Sequence, residues 1–230
     1  MARTYPHPTL DPSLWTPCYN FSEPSLSHPS KIEHLSNPGS RFRDRPGLSH
    51  IVQALGNTQP SLHLQLYLDN IFVYIYLEMG LHGKLVAAIE FKAGGDVFHE
   101  LLRHKPHQIS TITPELIKGC DLHEGEFGHV GSIICWDYIL DGKVKKAKQV
   151  IQLIDEEKKL IQFKVIEGDL LELYKDFVMT SHIETKDGID LVTSTFEYEM
   201  VNEDVEHPFS TLSLVVDVIK AVETHHLAQP

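Results

Sequence analysis

The chain has 230 residues, and its 20 Lys and Arg against 32 Asp and Glu give a formal net charge of −12. Residues 1–61 carry only five of the basic and four of the acidic residues, so the acidic excess lies in the rest of the chain. An acidic domain repels phosphate backbones, which argues against nucleic acid and anionic membranes as partners.

The first sixty residues are rich in proline and serine and show no sustained apolar periodicity. Nine of the 13 prolines lie there. Such a stretch buries too little apolar surface to offset the entropy lost on ordering. We therefore predict residues 1–78 to be a disordered or non-domain N-terminal extension and residues 79–230 to be one folded domain. The start lacks the apolar core of a signal peptide, although a transit peptide would share its serine-rich, acid-poor composition.

Residues Leu62 to Leu77 form the most apolar run of the chain. His63, Gln65, Asp69 and Asn70 interrupt it, and charged groups are costly at a bilayer centre, so we do not expect a membrane span. The run is either a strand or helix lying on the domain or a segment outside the natural fold. In the latter case Met79 would be the functional start.

Regular structure is predicted from residue 81 onward. Alternation over Lys84 to Phe91 predicts a half-buried strand that ends at Gly94-Gly95. Asp96 then caps a short helix that Pro106 limits, and a second short helix is predicted from Pro114 to Lys118, with the proline in its first turn.

The pattern is then β-like until near the end of the chain. Ser132–Leu140 and the residues from Lys143 flank Asp141-Gly142, the signature of a tight hairpin turn. Two further hairpins are predicted, at Asp155–Lys159 and at Lys186–Gly188. Counting Val150–Ile154 as a strand of its own, we expect a six-strand antiparallel meander after the two short helices.

The last element is a long amphipathic helix. From Pro208 to Leu227 there is no internal proline or glycine, and Leu212, Val216 and Ile219 recur at three- and four-residue spacing. The predicted fold class is therefore α+β, with a curved antiparallel sheet wrapped around this helix.

Several residue runs resemble one plant family. The first run is Glu124-Gly125-Glu126-Phe127-Gly128-His129-Val130-Gly131-Ser132, followed by Trp136 and Tyr138. It resembles the glycine-rich loop and next strand of the plant major latex proteins. These belong to the Bet v I superfamily, which also holds the class-ten pathogenesis-related proteins. Phe163 to Leu170, Tyr174-Lys175 and Glu197 to Val205 agree in order.

This resemblance implies a helix-grip fold of seven strands, two short helices and a long C-terminal helix. It also implies an internal cavity that binds hydrophobic or amphipathic small molecules, a cytoplasmic setting and an association with plant defence or stress. We expect no cofactor, no nucleic-acid partner and no integral membrane association. The oligomeric state is left open.

Most candidate chemistry in the domain has a simpler interpretation. The loop with Gly125, Gly128 and Gly131 lacks the Gly-Lys-Ser/Thr ending of a nucleotide-binding loop, so we interpret it as a connector with positive φ angles. His104-x-x-His107 and His225-His226 fit no compact zinc site, and we expect no metal. The lysines from Lys143 to Lys148 are interpreted as a solvated strand that discourages edge pairing.

The family resemblance implies that Trp136 and Tyr138 point inward from their strand. Candidate ligand-binding residues are the apolar and aromatic side chains that share such faces of the strands and helices. These are Leu101, Ile134, Trp136, Tyr138, Ile161, Phe163, Phe177, Met179, Leu212, Val216 and Ile219. Every one of them could instead be plain core packing, because a cavity differs from a core by volume and volume is invisible in sequence.

Carriage of a hydrophobic ligand is the leading functional hypothesis. An isomerase or condensing enzyme of plant secondary metabolism is the alternative, with Tyr138, Glu199 or His182 as the acid-base group, although no matched catalytic set is apparent. A third hypothesis is a protein-interaction module whose interior is filled by side chains.

Overall fold

The computed structural model describes residues 32–34, 61–68, 71–78 and 80–229. The strands in these residues are β1 (Ile32–His34), β2 (Ser61–Leu68), β3 (Ile71–Glu78), β4 (His82–Glu90), β5 (Ile117–Glu124), β6 (Ile133–Leu140), β7 (Lys143–Asp155), β8 (Leu160–Gly168), β9 (Tyr174–Lys186) and β10 (Ile189–Met200). The helices are α1 (Gly95–His104), α2 (His107–Ile112) and α3 (Phe209–Leu227), and a 3-10 turn covers Asp169–Glu172.

One sheet holds all the described strands, in the order β1-β2-β3-β4-β10-β9-β8-β7-β6-β5. Strands β4 to β10 form the predicted seven-stranded curved antiparallel sheet, and α3 contacts β4, β10 and β6 on it. Register shifts at Lys148/Gln149, Ile151/Leu153 and Glu199/Met200 bend individual strands. The predicted helix-grip architecture is confirmed.

Strands β2 and β3 extend this sheet beyond β4. They pair with each other antiparallel, and β3 pairs with β4 from Ile71↔Ile89 to Leu77↔Gly83. Within the run from Leu62 to Leu77 the structure therefore has strands, one of the two alternatives predicted for it. Apart from β1, the prediction for residues 1–60 falls outside the described residues.

The predicted hairpin turns have the backbone that their sequences require. Asp141 and Gly142 have φ angles of 49° and 75°, and Asp187 and Gly188 have φ angles of 53° and 80°. Two successive positive φ angles give a turn whose twist matches that of the flanking strands. These turns fix the registers of β6 with β7 and of β9 with β10.

The prediction for the second short helix is wrong in its position. The helix lies at His107–Ile112, preceded by Pro106, and residues 114–116 form a turn that leads into β5. Pro106 thus lies between the end of α1 and the start of α2. A proline is tolerated at a helix start because the N–H group that it lacks would have no intrahelical partner there. At the other end of α2, Thr113 donates its hydroxyl hydrogen to the carbonyl oxygen of Ile109 (2.8 Å).

The predicted meander also divides its strands incorrectly. Lys143–Asp155 is one strand of 13 residues, β7, rather than two strands. The number of strands in the domain's sheet is still the predicted seven, because Ile117–Glu124 forms an additional strand, β5, which pairs with β6. The register shifts inside β7 change the alternation of its apolar and polar residues midway, and this change is why the sequence pattern suggests two strands.

The core lies between the concave face of the sheet and α3. On β10, Val192, Phe196 and Tyr198 belong to the core cluster, whereas the intervening positions point to the other face. Among the described helices, none has the length and apolarity that a membrane crossing needs.

Candidate functional site between the sheet and the long helix

The eleven candidate ligand-binding residues converge on one region. Nine of them are buried members of a single apolar cluster, and Trp136 and Met179 are partly buried and pack against it. They come from α1, three strands of the sheet (β6, β8 and β9) and α3. The structure therefore brings the whole set together, and contact with a ligand stays a prediction for each of them.

Three polar side chains on the inner face of β6 and β7 lie inside this apolar region. Trp136 and Tyr138 lie on β6, and Gln149 lies on β7 directly opposite Ile134. Tyr138 and Gln149 are only 6% and 7% exposed. Trp136 Nε1, Tyr138 Oη and Gln149 Oε1 are buried atoms without a hydrogen-bond partner among the described residues. We call these three residues the inner polar cluster.

The register shows that the inner polar cluster shares one face of the sheet. Antiparallel partners point to the same side, so Gln149 faces the same way as Ile134, and Trp136 the same way as its partner Ala147. Ile134 and Ala147 are buried in the core cluster. The cluster therefore faces α3, and its members are neighbours across and along two adjacent strands.

Tyr138 keeps its proton in this environment. Burial of the phenol raises the pKa of Tyr138 well above its ordinary value, and the negative charge of Asp169 adds to the effect. The side chain is therefore a neutral donor of one hydrogen bond. Trp136 can only donate, whereas Gln149 Oε1 can only accept.

Gln149 and Ser213 were missed from the sequence. Gln149 could have been found, because counting back from the Asp141-Gly142 turn pairs Leu140 with Lys143 and hence Ile134 with Gln149. Ser213 follows Leu212 on α3, is 2% exposed, and its hydroxyl also lacks a partner among the described residues. It falls outside the predicted apolar stripe, so no sequence signal marked it.

A second group of rings lies at the start of α3. The Tyr174 ring lies 5.3 Å from that of Phe177 and 5.5 Å from that of Tyr198, measured between centroids. Tyr174 donates to the carbonyl oxygen of Glu206 (2.8 Å), and the Tyr198 hydroxyl lies 2.7 Å from His207 Nδ1. Unlike the inner polar cluster, these phenols have protein partners.

Two of the three acid-base groups considered for an enzyme lie on the wrong face. Glu199 is at an outward position of β10 and accepts a hydrogen bond from Lys175 Nζ (2.7 Å), which lowers the pKa of its carboxyl. His182 alternates with the inward Ser181 and Ile183 on β9 and also points outward. Only Tyr138 faces the interior.

The glycine-rich loop joins β5 to β6 and has positive φ angles of 85°, 77° and 90° at Gly125, Gly128 and Gly131, as predicted. Glu126 donates its backbone N–H to Ser132 Oγ (3.0 Å), and Gly131 donates to the carbonyl oxygen of Ile151 (2.8 Å). A Cβ at Gly128 would lie 2.9 Å from His104 Nδ1. The loop is thus held against the end of α1 and against β7.

Ion pairs tie α1 to the turn between β7 and β8. Arg103 Nη1 lies 2.5 Å from Glu156 Oε1, and Lys159 pairs with Asp96. His99 Nε2 lies 3.7 Å from Glu156 Oε2, and burial lowers the pKa of His99 despite that carboxylate. These contacts fix the position of α1 and hence of Leu101.

The lysines of β7 do not protect an edge, which corrects that prediction. β7 lies between β6 and β8 in the sheet. Three of these lysines pair with acids of neighbouring segments: Lys145 with Asp169 (2.7 Å), Lys146 with Asp137 (2.9 Å) and Lys148 with Glu167 (2.6 Å). Such pairs neutralise the local positive charge, so these side chains offer no anion site.

No group of three or more His, Cys, Asp or Glu side chains in the described part of the chain is arranged to hold a metal ion. Cys120 is buried opposite Trp136 in the register, and burial raises the pKa of its thiol to about 12. A thiol that stays protonated is a poor nucleophile.

Comparison with known proteins gives matches over the same part of the chain. The model of the Pathogenesis-related protein Bet v 1 family matches residues 80–229. MLP-like protein 34 of Arabidopsis thaliana is 46% identical over 147 residues, which are 63% of this chain and 46% of that protein. MLP-like protein 43 of the same plant is 42% identical over 151 residues, 65% of this chain and 96% of that protein.

A solved structure agrees with these matches. The crystal structure of ginseng major latex-like protein 151 from Panax ginseng superposes with a TM-score of 0.63 at 49% identity, covering 64% of this chain and 99% of that one. The chain spans less than half the length of the first two curated relatives, MLP-like proteins 34 and 28.

Proposed function

The chain belongs to the Pathogenesis-related protein Bet v 1 family, and from that premise we propose that its domain binds and carries hydrophobic or amphipathic small molecules between the sheet and α3. We further propose that this activity takes place in the cytoplasm and serves plant defence or stress responses. The binding proposal depends on one observation above all, the inner polar cluster.

A plain core leaves few polar atoms unpaired, and seldom several on one patch. Most buried side-chain polar atoms in folded proteins have a hydrogen-bond partner, and each unpaired one costs about 1–3 kcal/mol. Three such atoms on one face of two adjacent strands are difficult to reconcile with packing alone. They are expected where a ligand supplies the missing partners, as pockets combine apolar walls with a few polar groups that orient the ligand.

The apolar wall sets the scale of affinity. Burying roughly 300 Å² of apolar ligand surface at about 25 cal/mol per Å² supplies about 7 kcal/mol before ordering costs are subtracted. That value corresponds to micromolar binding with loose selectivity. Hydrogen bonds from the inner polar cluster would then decide which of several apolar molecules binds best.

Titration of the full chain with N-phenyl-1-naphthylamine, a neutral probe whose fluorescence rises in apolar surroundings, tests this proposal. We expect a saturable rise with a micromolar dissociation constant. Val216→Phe, which adds volume to the inner face of α3, should weaken binding while the variant remains folded. A wild-type protein that gives no saturable signal would count against the carrier function.

A further inference from the structure

The inner polar cluster specifies the hydrogen-bonding pattern of its ligand. Trp136 Nε1 is a donor on β6, Tyr138 Oη on the same strand can donate as well as accept, and Gln149 Oε1 is an acceptor on β7. We propose that the ligand is a neutral ring molecule that presents a hydrogen-bond acceptor to β6 and a hydrogen-bond donor to β7. This inference rests on the proposed function and adds the chemical class of the ligand.

The geometry of the sheet limits the size of that pattern. Trp136 and Tyr138 are two residues apart on one strand, or about 7 Å, and β7 runs about 5 Å from β6. Because Gln149 is opposite Ile134, it lies diagonally across from Trp136. An acceptor at Trp136 and a donor at Gln149 are therefore separated by about the width of one or two fused rings, whereas Tyr138 lies two residues farther along β6.

The absence of interior charge indicates that the ligand is neutral. The buried polar residues of the described chain include no Lys, Arg, Asp or Glu. Lys145 lies opposite Tyr138 on the inner face, but it pairs with Asp169 (2.7 Å), so the two charges neutralise each other. An ionised ligand would lose its hydration without gaining a counter-ion, which costs far more than burying a carbonyl or hydroxyl group.

A matched set of naphthalenes separates apolar binding from polar recognition. 2-Ethylnaphthalene has neither polar group, 2-acetylnaphthalene adds an acceptor, and 2-acetyl-6-hydroxynaphthalene adds both an acceptor and a donor. Isothermal titration calorimetry on the full chain gives a dissociation constant for each. We expect affinity to increase in that order for the wild-type protein.

Single substitutions then assign each preference to its residue. Tyr138→Phe or Trp136→Phe should reduce the preference for acetyl over ethyl by roughly fivefold, the effect of one buried hydrogen bond. Gln149→Met, of similar length, should reduce the gain from the hydroxyl by a similar factor and leave the acetyl preference unchanged. Each of these variants should bind 2-ethylnaphthalene at least as well as the wild type does.

Thr193→Val is the matched control. Thr193 is 1% exposed, and its hydroxyl lacks a partner among the described residues, but it lies on β10 at a position facing away from α3. Its removal should change none of the ratios. Equal affinity for 2-ethylnaphthalene and 2-acetylnaphthalene, or ratios that no inner-cluster substitution moves, would overturn the inference and leave the carrier function standing. Failure of all three naphthalenes to bind would overturn both.

Discussion

The hydroxyl oxygen of Tyr198 lies 2.7 Å from Nδ1 of His207, a contact that joins the end of β10 to the loop before α3. Burial raises the pKa of Tyr198 and lowers that of His207. We therefore assign a protonated phenol as the donor and a neutral imidazole as the acceptor. This bond anchors the long helix to the sheet at the aromatic end of the interior.

The neutral state of His207 makes stability depend on pH. Its pKa in the folded state is below the ordinary value of 6.5, so the unfolded chain takes up more protons as the pH falls through that value. The free energy of unfolding should thus be lower at pH 5.5 than at pH 7.5, measured with urea. His99 and His182, whose pKa values are also lowered by burial, contribute in the same direction.

Replacing His207 isolates its share of that effect. Between pH 7.5 and pH 5.5 the free energy of unfolding of His207→Gln should fall by less than that of the wild type, because one of the buried imidazoles is gone. An identical loss in His207→Gln and the wild type would show that His207 does not titrate differently on folding.

Glycine substitutions in the β5–β6 loop should differ in cost. Alanine at any of the three positions has an unfavourable positive φ, worth roughly 1–2 kcal/mol. At Gly128 a Cβ would also meet His104 and Arg103 at 2.9–3.0 Å, whereas at Gly131 nothing lies within 4 Å. Gly128→Ala should therefore lower the urea midpoint more than Gly131→Ala. Equal midpoints would mean that close packing against α1 contributes nothing.

Asp190 should be a stabilising contact for α1. Its carboxylate accepts a hydrogen bond from the Gly95 backbone N–H (2.7 Å) and another from the Thr185 hydroxyl (2.5 Å). Because carboxylates stabilise a helix start, Asp190→Ala should cost about 1–2 kcal/mol. Thr185→Val removes only the second bond and should cost less. The reverse order in urea unfolding would contradict this account of the helix start.

Tyr138→Phe should stabilise the ligand-free protein. An unpaired buried hydroxyl carries a desolvation cost, so its removal with the ring retained should raise the free energy of unfolding by about 1 kcal/mol. Tyr198→Phe, which removes a paired hydroxyl, should lower it by about the same amount. Loss of stability in both variants would indicate that Tyr138 is a structural residue with a partner of its own.

Sequence patterns predicted the architecture well where local chemistry decides it. Asp141-Gly142 and Asp187-Gly188 require positive φ angles, and the uninterrupted run from Pro208 to Leu227 permits only a long helix. The second short helix was misplaced because two prolines, Pro106 and Pro114, are both acceptable at a helix start, and tertiary pairing of β5 with β6 decides between them.

The sequence predicted which side chains line the interior, but it did not predict which of their polar atoms would lack hydrogen-bond partners. Alternation places Trp136 and Tyr138 on one face, and the family resemblance implies that this face is the inner one, but whether their polar atoms find partners depends on side chains from distant elements. Gln149 became recognisable only through its register with β6. The outward position of Glu199 follows from the same alternation once the inward face of β10 is known.

The emission of Trp136 tests the central claim most directly. The chain has two tryptophans, Trp15 and Trp136, so Trp15→Phe leaves one reporter, in the inner polar cluster. Titration with 2-acetyl-6-hydroxynaphthalene should quench this emission saturably, with the midpoint that calorimetry gives. Unchanged Trp136 emission at concentrations that saturate the calorimetric signal would place the ligand elsewhere and contradict an interior binding site.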